Sequence, residues 1–99
     1  AKAYVQENTR VFCAMLKTAG VSLKPMRLES TFLLWVDCSG CCKTDAEVVD
    51  LFENRCHIYG STGSHYQSGK PFIRLNIAAP RSVIVRAAER LIRALSQSC

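Results

Sequence analysis

No part of this 99-residue chain has the roughly 20 consecutive apolar residues that cross a bilayer; the apolar run Phe32 to Val36 has the length of a strand. A single membrane-spanning helix is excluded. The chain also lacks an initiator Met and the apolar segment of a signal peptide, and Ala1 to Ala3 lead directly into a helical pattern. It therefore reads as cut from a longer, cytoplasmic protein. Acidic residues are few, 8 against 13 basic ones, for a net charge of +5. That excess permits an anionic partner, but Lys and Arg are scattered from Lys2 to Arg93 without the run that marks a nucleic-acid-binding tail. A second Cys-x-x-Cys and paired histidines are absent. Cys38-x-x-Cys41-Cys42 with Cys56 and His57 is accordingly a poor zinc set, and no metal is expected. Internal repeats are missing as well.

Six cysteines are present, three of them crowded at 38–42, and without a secretory segment they read as reduced thiols rather than a disulfide framework. At 48% hydrophobic and 21% charged, the composition is that of one globular domain over residues 1–99. A chain this short has a thin core, so a neighbour covering part of its surface fits the composition.

Tyr4, Val11, Phe12, Met15, Leu16 and Ala19 recur at three- and four-residue steps and predict a first helix closed by Gly20. Val21–Lys24 reads as a short strand stopped by Pro25. Thr31–Asp37 reads as a central strand with both faces covered, with Phe32 and Trp35 in the core. Thr44 and Glu47 stand in the capping-box relation, and Val48, Leu51, Phe52 and Cys56 supply the inward stripe of a second helix. A short strand is expected at His57–Tyr59, followed by a Gly/Ser-rich loop from Gly60 to Pro71, long enough to be functional.

Ile73-Arg74-Leu75-Asn76-Ile77 alternates strictly, placing Ile73, Leu75 and Ile77 on one face and Arg74 and Asn76 on the other. Pro80 closes that strand, Ser82 is a candidate N-cap, and Ile84, Ala87, Ala88, Leu91 and Leu95 form the inward stripe of a last helix ending near Gln97. The expected class is α+β: a two-layer domain of about three helices on a mainly antiparallel sheet of three to four strands. Arg86, Arg90 and Arg93 lie on one side of the last helix. They read as the solvated face of an amphipathic helix, the alternative being a phosphate-contacting stripe in a small basic binding module.

Two stretches carry a resemblance. Glu29-Ser30-Thr31-Phe32-Leu33-Leu34-Trp35-Val36-Asp37 is similar to the E-G-T-Y-L-x-W-hydrophobic-D strand, and Thr62 to Ala78 to the P-G-S-x-F-G … F-hydrophobic-R-L-N-hydrophobic-A segment, of the C-terminal part of fold type I pyridoxal-phosphate enzymes. The chain resembles in particular the class I/II aminotransferases and the cystathionine β-lyases, or C–S lyases. It departs at Thr62, Tyr66 and Gln67, where the family carries Pro, Phe and Gly.

The resemblance implies a small domain closing over a large, upstream one. There, pyridoxal 5′-phosphate is held covalently by a lysine outside this chain, in an enzyme that usually works as a homodimer on amino acids. It further implies that Arg74 grips the substrate α-carboxylate, with Asn76, Tyr66 and His65 as further substrate-side candidates. From the alternation alone, Arg74 reads first as an ordinary surface ion-pair partner, and the motif match reverses that order; its guanidinium is a rigid planar fork that pairs bidentately with carboxylate.

Overall fold

The computed structural model describes residues 2–29, 32–62 and 70–97. Helix α1 spans Lys2–Ala19 and buries Val5, Asn8, Phe12 and Leu16, a stripe at helical spacing that includes one polar residue. It ends in a Schellman motif: Gly20 has φ 72°, its N–H donates to Lys17 O at 3.1 Å, and the Val21 N–H reaches Leu16 O at 3.4 Å.

Strand β1 (Lys24–Glu29) begins where the sequence predicts a strand to stop. The sheet order β1-β2-β4-β3 explains the correction. An edge strand fills only one hydrogen-bond ladder, so Pro25 is tolerated, and the register shift between Pro25 and Arg27 is the accompanying irregularity. Strand β2 (Leu33–Asp37) pairs antiparallel with β1 on one side and with β4 (Phe72–Asn76) on the other. Leu34, Trp35 and Val36 are buried, as expected of a central strand. Phe32, however, lies in the turn before β2 and is 41% exposed, so it is not a core residue.

Helix α2 (Asp45–Val49) starts at the Thr44 N-cap, and the Glu47 carboxylate reaches back to Lys43, one residue further than the capping box expects. Glu47 N donates to Thr44 Oγ1 at 3.2 Å, and the Glu47 carboxylate accepts from Lys43 N at 2.6 Å. Thr44→Ala should therefore cost about 1 kcal/mol. A chemical-denaturation midpoint that does not move would contradict that role. The helix continues through a π-helical segment, Asp50–Arg55, and Val48, Leu51, Phe52 and Cys56 are all buried, the expected stripe. His57 stops it in the left-handed region, φ 58°, which is why no strand forms at 57–59. The third strand is instead β3 (Ser61–Thr62), paired antiparallel with β4.

Helix α3 (Arg81–Gln97) starts one residue before Ser82, the expected cap. Pro80 O accepts from Val83 N and Ile84 N at 2.9 and 3.2 Å, so the helix already turns at Pro80 and Ser82 lies inside it. Ile84, Ala88, Leu91 and Ala94 face inward, and α3 packs against α1 and the π-helical segment. The helices cover one face of the sheet, where Leu34 and Val36 of β2 meet Ile73, Leu75 and the following Ile77. This is an α+β fold with a four-stranded antiparallel sheet. No helix among the described residues is long and apolar enough to cross a membrane.

Candidate functional site

Strict alternation in β4 does what its pattern predicts: Ile73 and Leu75 are buried against the helices, while Arg74 is half-buried on the opposite, outer face. β4 is an interior strand. Its neighbours therefore frame Arg74 on both sides, with Trp35 of β2 and Ser61 of β3 as the directly paired residues.

Trp35 shares that outer face with Arg74 and Phe72. The Phe72 ring meets the indole edge-on, with centroids 5.9 Å apart and an interplanar angle of 73°. The Arg74 guanidinium carbon lies over the same indole, 5.3 Å from the ring centroid. Such a cation–π contact contributes about 0.5–2 kcal/mol, more as the pair is desolvated. Only 6% of Trp35 is exposed, so the guanidinium rests on a largely dry aromatic surface. Stacking holds the planar face of the guanidinium and sets the direction of its N–H edge.

Backbone features fix the position of this side chain. A Cβ at Gly60 would come within 2.6 Å of Arg74 O, so the chain entering β3 can approach β4 this closely only as glycine. At the far end of β4, the Asn76 side-chain oxygen accepts from Ala78 N at 2.9 Å and shapes the turn out of the strand. The exposed Asn76 thus has a structural task beside any role toward a ligand. Opposite Phe72 stands Asp37. Burial pushes its carboxyl up, but hydrogen bonding from Ser39 together with the charges of Lys70 and Lys24 outweighs that and leaves it below the usual carboxylate range. His65 and Tyr66 lie outside the described residues, in the connection between β3 and β4.

A polar cluster that the helical pattern did not reveal sits just beyond Asn76. Asn8, fully buried on α1, donates from Nδ2 to Ile77 O at 2.9 Å and Ala79 O at 2.8 Å, and its Oδ1 accepts from Arg81 Nε. Arg81 also donates its backbone N–H to the Tyr4 hydroxyl at 2.7 Å, and its guanidinium lies over the Tyr4 ring at 4.9 Å. Together these contacts tie α1 to the exit of the strand that carries Arg74. The available signal was an Asn at a periodic apolar position.

The remaining sequence candidates stay apart from this face. Arg86, Arg90 and Arg93 are exposed on α3, and Arg90 reaches Cys56 O at 3.5 Å. Cys56 is buried while the adjacent His57 is exposed, so the pair does not converge on one point.

No protein-family model and no curated protein matches the sequence. Solved structures do match. Cystalysin from Treponema denticola, which contains a pyridoxal 5′-phosphate cofactor, superposes with a TM-score of 0.84 and 26% identity over 98% of this chain and 25% of its own. The C–S lyase from Staphylococcus hominis gives 0.74 at 23% identity, over 94% of this chain and 23% of that one. The aromatic aminotransferase from Pyrococcus horikoshii gives 0.78 at 15% identity, over 97% and 25%. The chain spans about a quarter of the length of the enzymes it matches. Its fold is that of the small domain of fold type I pyridoxal-phosphate enzymes, the aminotransferases and C–S lyases.

Proposed function

We propose that residues 1–99 form the substrate-carboxylate-binding small domain of a pyridoxal-phosphate enzyme acting on amino acids, by transamination or by C–S β-elimination. The observation that carries the reading is the placement of Arg74: an interior strand, the face away from the helices, and a guanidinium laid on buried Trp35. A carboxylate arriving at that face meets a donor fork whose plane is already set, so less ordering is left to the binding step. Trp35 and Phe72 exclude water from one side of the ion pair and raise its strength. Each charge-assisted hydrogen bond is worth about 1.5–3 kcal/mol, and the fixed orientation serves the chemistry as much as the energy does.

The cofactor belongs to the complementary part of such an enzyme, where it supplies the electron sink and is held covalently by a lysine outside this chain. The partners that follow are a large domain of the same enzyme, an amino-acid substrate and a second subunit in a homodimer. Asn76, and His65 and Tyr66 in the β3–β4 connection, are the further candidates for lining the substrate side.

The coding sequence upstream of Ala1 is the direct test. It should encode a large domain with a cofactor lysine, and the 99 residues alone should show no turnover of amino acids with added pyridoxal phosphate. Turnover by the isolated chain, or an upstream sequence without such a domain, would overturn the reading.

A further inference from the structure

Away from the Arg74 face, a cleft of about 810 Å³ opens between the C-terminal ends of α1 and α3, the first turn of α2 and the loop after β2. Its wall includes Val21, Leu51 and Leu95, and Cys41 and Cys42 both line it. Adjacent residues in a strand would point to opposite faces. Here a tight turn prevents that. The N–H groups of Cys41 and Cys42 both donate to Cys38 O, at 3.1 and 2.8 Å, and the two sulfurs lie 3.8 Å apart. Gly40 presses this turn onto the chain following α1, where an added Cβ would come within 2.7 Å of Ser22 O. The third thiol of the turn looks elsewhere: Cys38 is fully buried and its Sγ lies 3.6 Å from Val36 O.

We propose that Cys41 and Cys42 form a chelating dithiol site for a soft, trivalent metalloid of the arsenic(III) class. With metal–sulfur bonds of about 2.3 Å, as for zinc, a linear two-thiol complex needs sulfurs about 4.6 Å apart, whereas a bent bridge suits the shorter spacing seen here. Trivalent arsenic is pyramidal. An organoarsenous compound, with its third bond to carbon, needs two sulfur ligands, and the cleft takes the organic group. The step balances without redox: the arsenic–oxygen double bond and two S–H bonds break, two As–S bonds form, and the oxygen leaves as water carrying both thiol protons.

Burial pushes the Cys41 thiol up to about 12, and burial likewise raises Cys42. Reactions that require thiolate, such as alkylation, are therefore slow at neutral pH. Condensation with an arsenous oxide consumes the protonated thiols directly. The site thus favours a bidentate thiophile over a single-thiol reagent.

Phenylarsine oxide is the probe. The 99-residue chain should form a 1:1 adduct with loss of one water and of two titratable thiols out of six. Cys41→Ala and Cys42→Ala should each weaken binding at least ~100-fold, because the second sulfur adds as an intramolecular ligand. Cys13→Ser and Cys99→Ser should bind as the parent does. Circular dichroism checks folding; if Cys42→Ala unfolds, the half-buried Cys41 decides through its own variant. Unchanged affinity in Cys41→Ala, or an equal loss in Cys99→Ser, would overturn the assignment.

Discussion

Alanine in place of Arg74 is expected to raise the KM of the enzyme carrying this domain about 100-fold or more for its amino-acid substrate, with cofactor absorbance unchanged. In the proposed role Arg74 makes two charge-assisted hydrogen bonds to the carboxylate, at about 1.5–3 kcal/mol each, and about 1.4 kcal/mol corresponds to tenfold in affinity. Arg74→Lys keeps the charge but loses the planar fork and the stacking on Trp35, so it should restore only part of the affinity. Steady-state kinetics of the two variants give the comparison. Equal KM in wild type and Arg74→Ala would remove the residue from this role.

The largest effect on stability is expected at Asn8. Asn8→Ala leaves Ile77 O, Ala79 O and Arg81 Nε without the partner that now serves all three. A buried polar group deprived of its partner costs about 1–3 kcal/mol, so the variant should lose roughly 2–4 kcal/mol after partial relaxation of the exposed portions. For a domain of this size that lowers Tm by about 10 °C or more. Because Ile77 directly follows β4, the loss should also loosen the strand that positions Arg74. A Tm within about 2 °C of wild type would show that the α1–β4 tie is not structural.

Much of the fold was legible wherever local rules decide it. Gly20 supplies the positive φ of a helix stop, the Thr44 hydroxyl accepts from Glu47 N as an N-cap, and the alternation at 73–77 sorts core from outer face. The misread elements depend on neighbours distant in sequence. Pro25 is acceptable in β1 only because β1 lies at the sheet edge, a fact of strand order. His57 takes a left-handed conformation that its residue type does not announce, and this displaces the third strand to Ser61–Thr62. Periodicity near 3.6 likewise gives no warning that α2 widens into a π-helical segment at Asp50.

The candidate site divides along the same line. Arg74's face follows from alternation, but its aromatic support does not. Trp35 reads as an ordinary core residue of an apolar run, and only the β2–β4 register sets it beside Arg74. Asn8 was hidden because a helical stripe is read from its apolar members. Cys41 and Cys42 read from sequence only as crowded reduced thiols in a poor zinc set, since it is the turn at 38–42 that brings their sulfurs together.

The most direct test of the central claim compares kcat/KM for an amino acid and its carboxamide in wild-type and Arg74→Ala forms of the enzyme carrying this domain. Arg74 recognition of the carboxylate predicts that wild type prefers the acid by about 100-fold or more and that the variant loses most of this preference. Full preference for the acid in the Arg74→Ala enzyme would contradict the account.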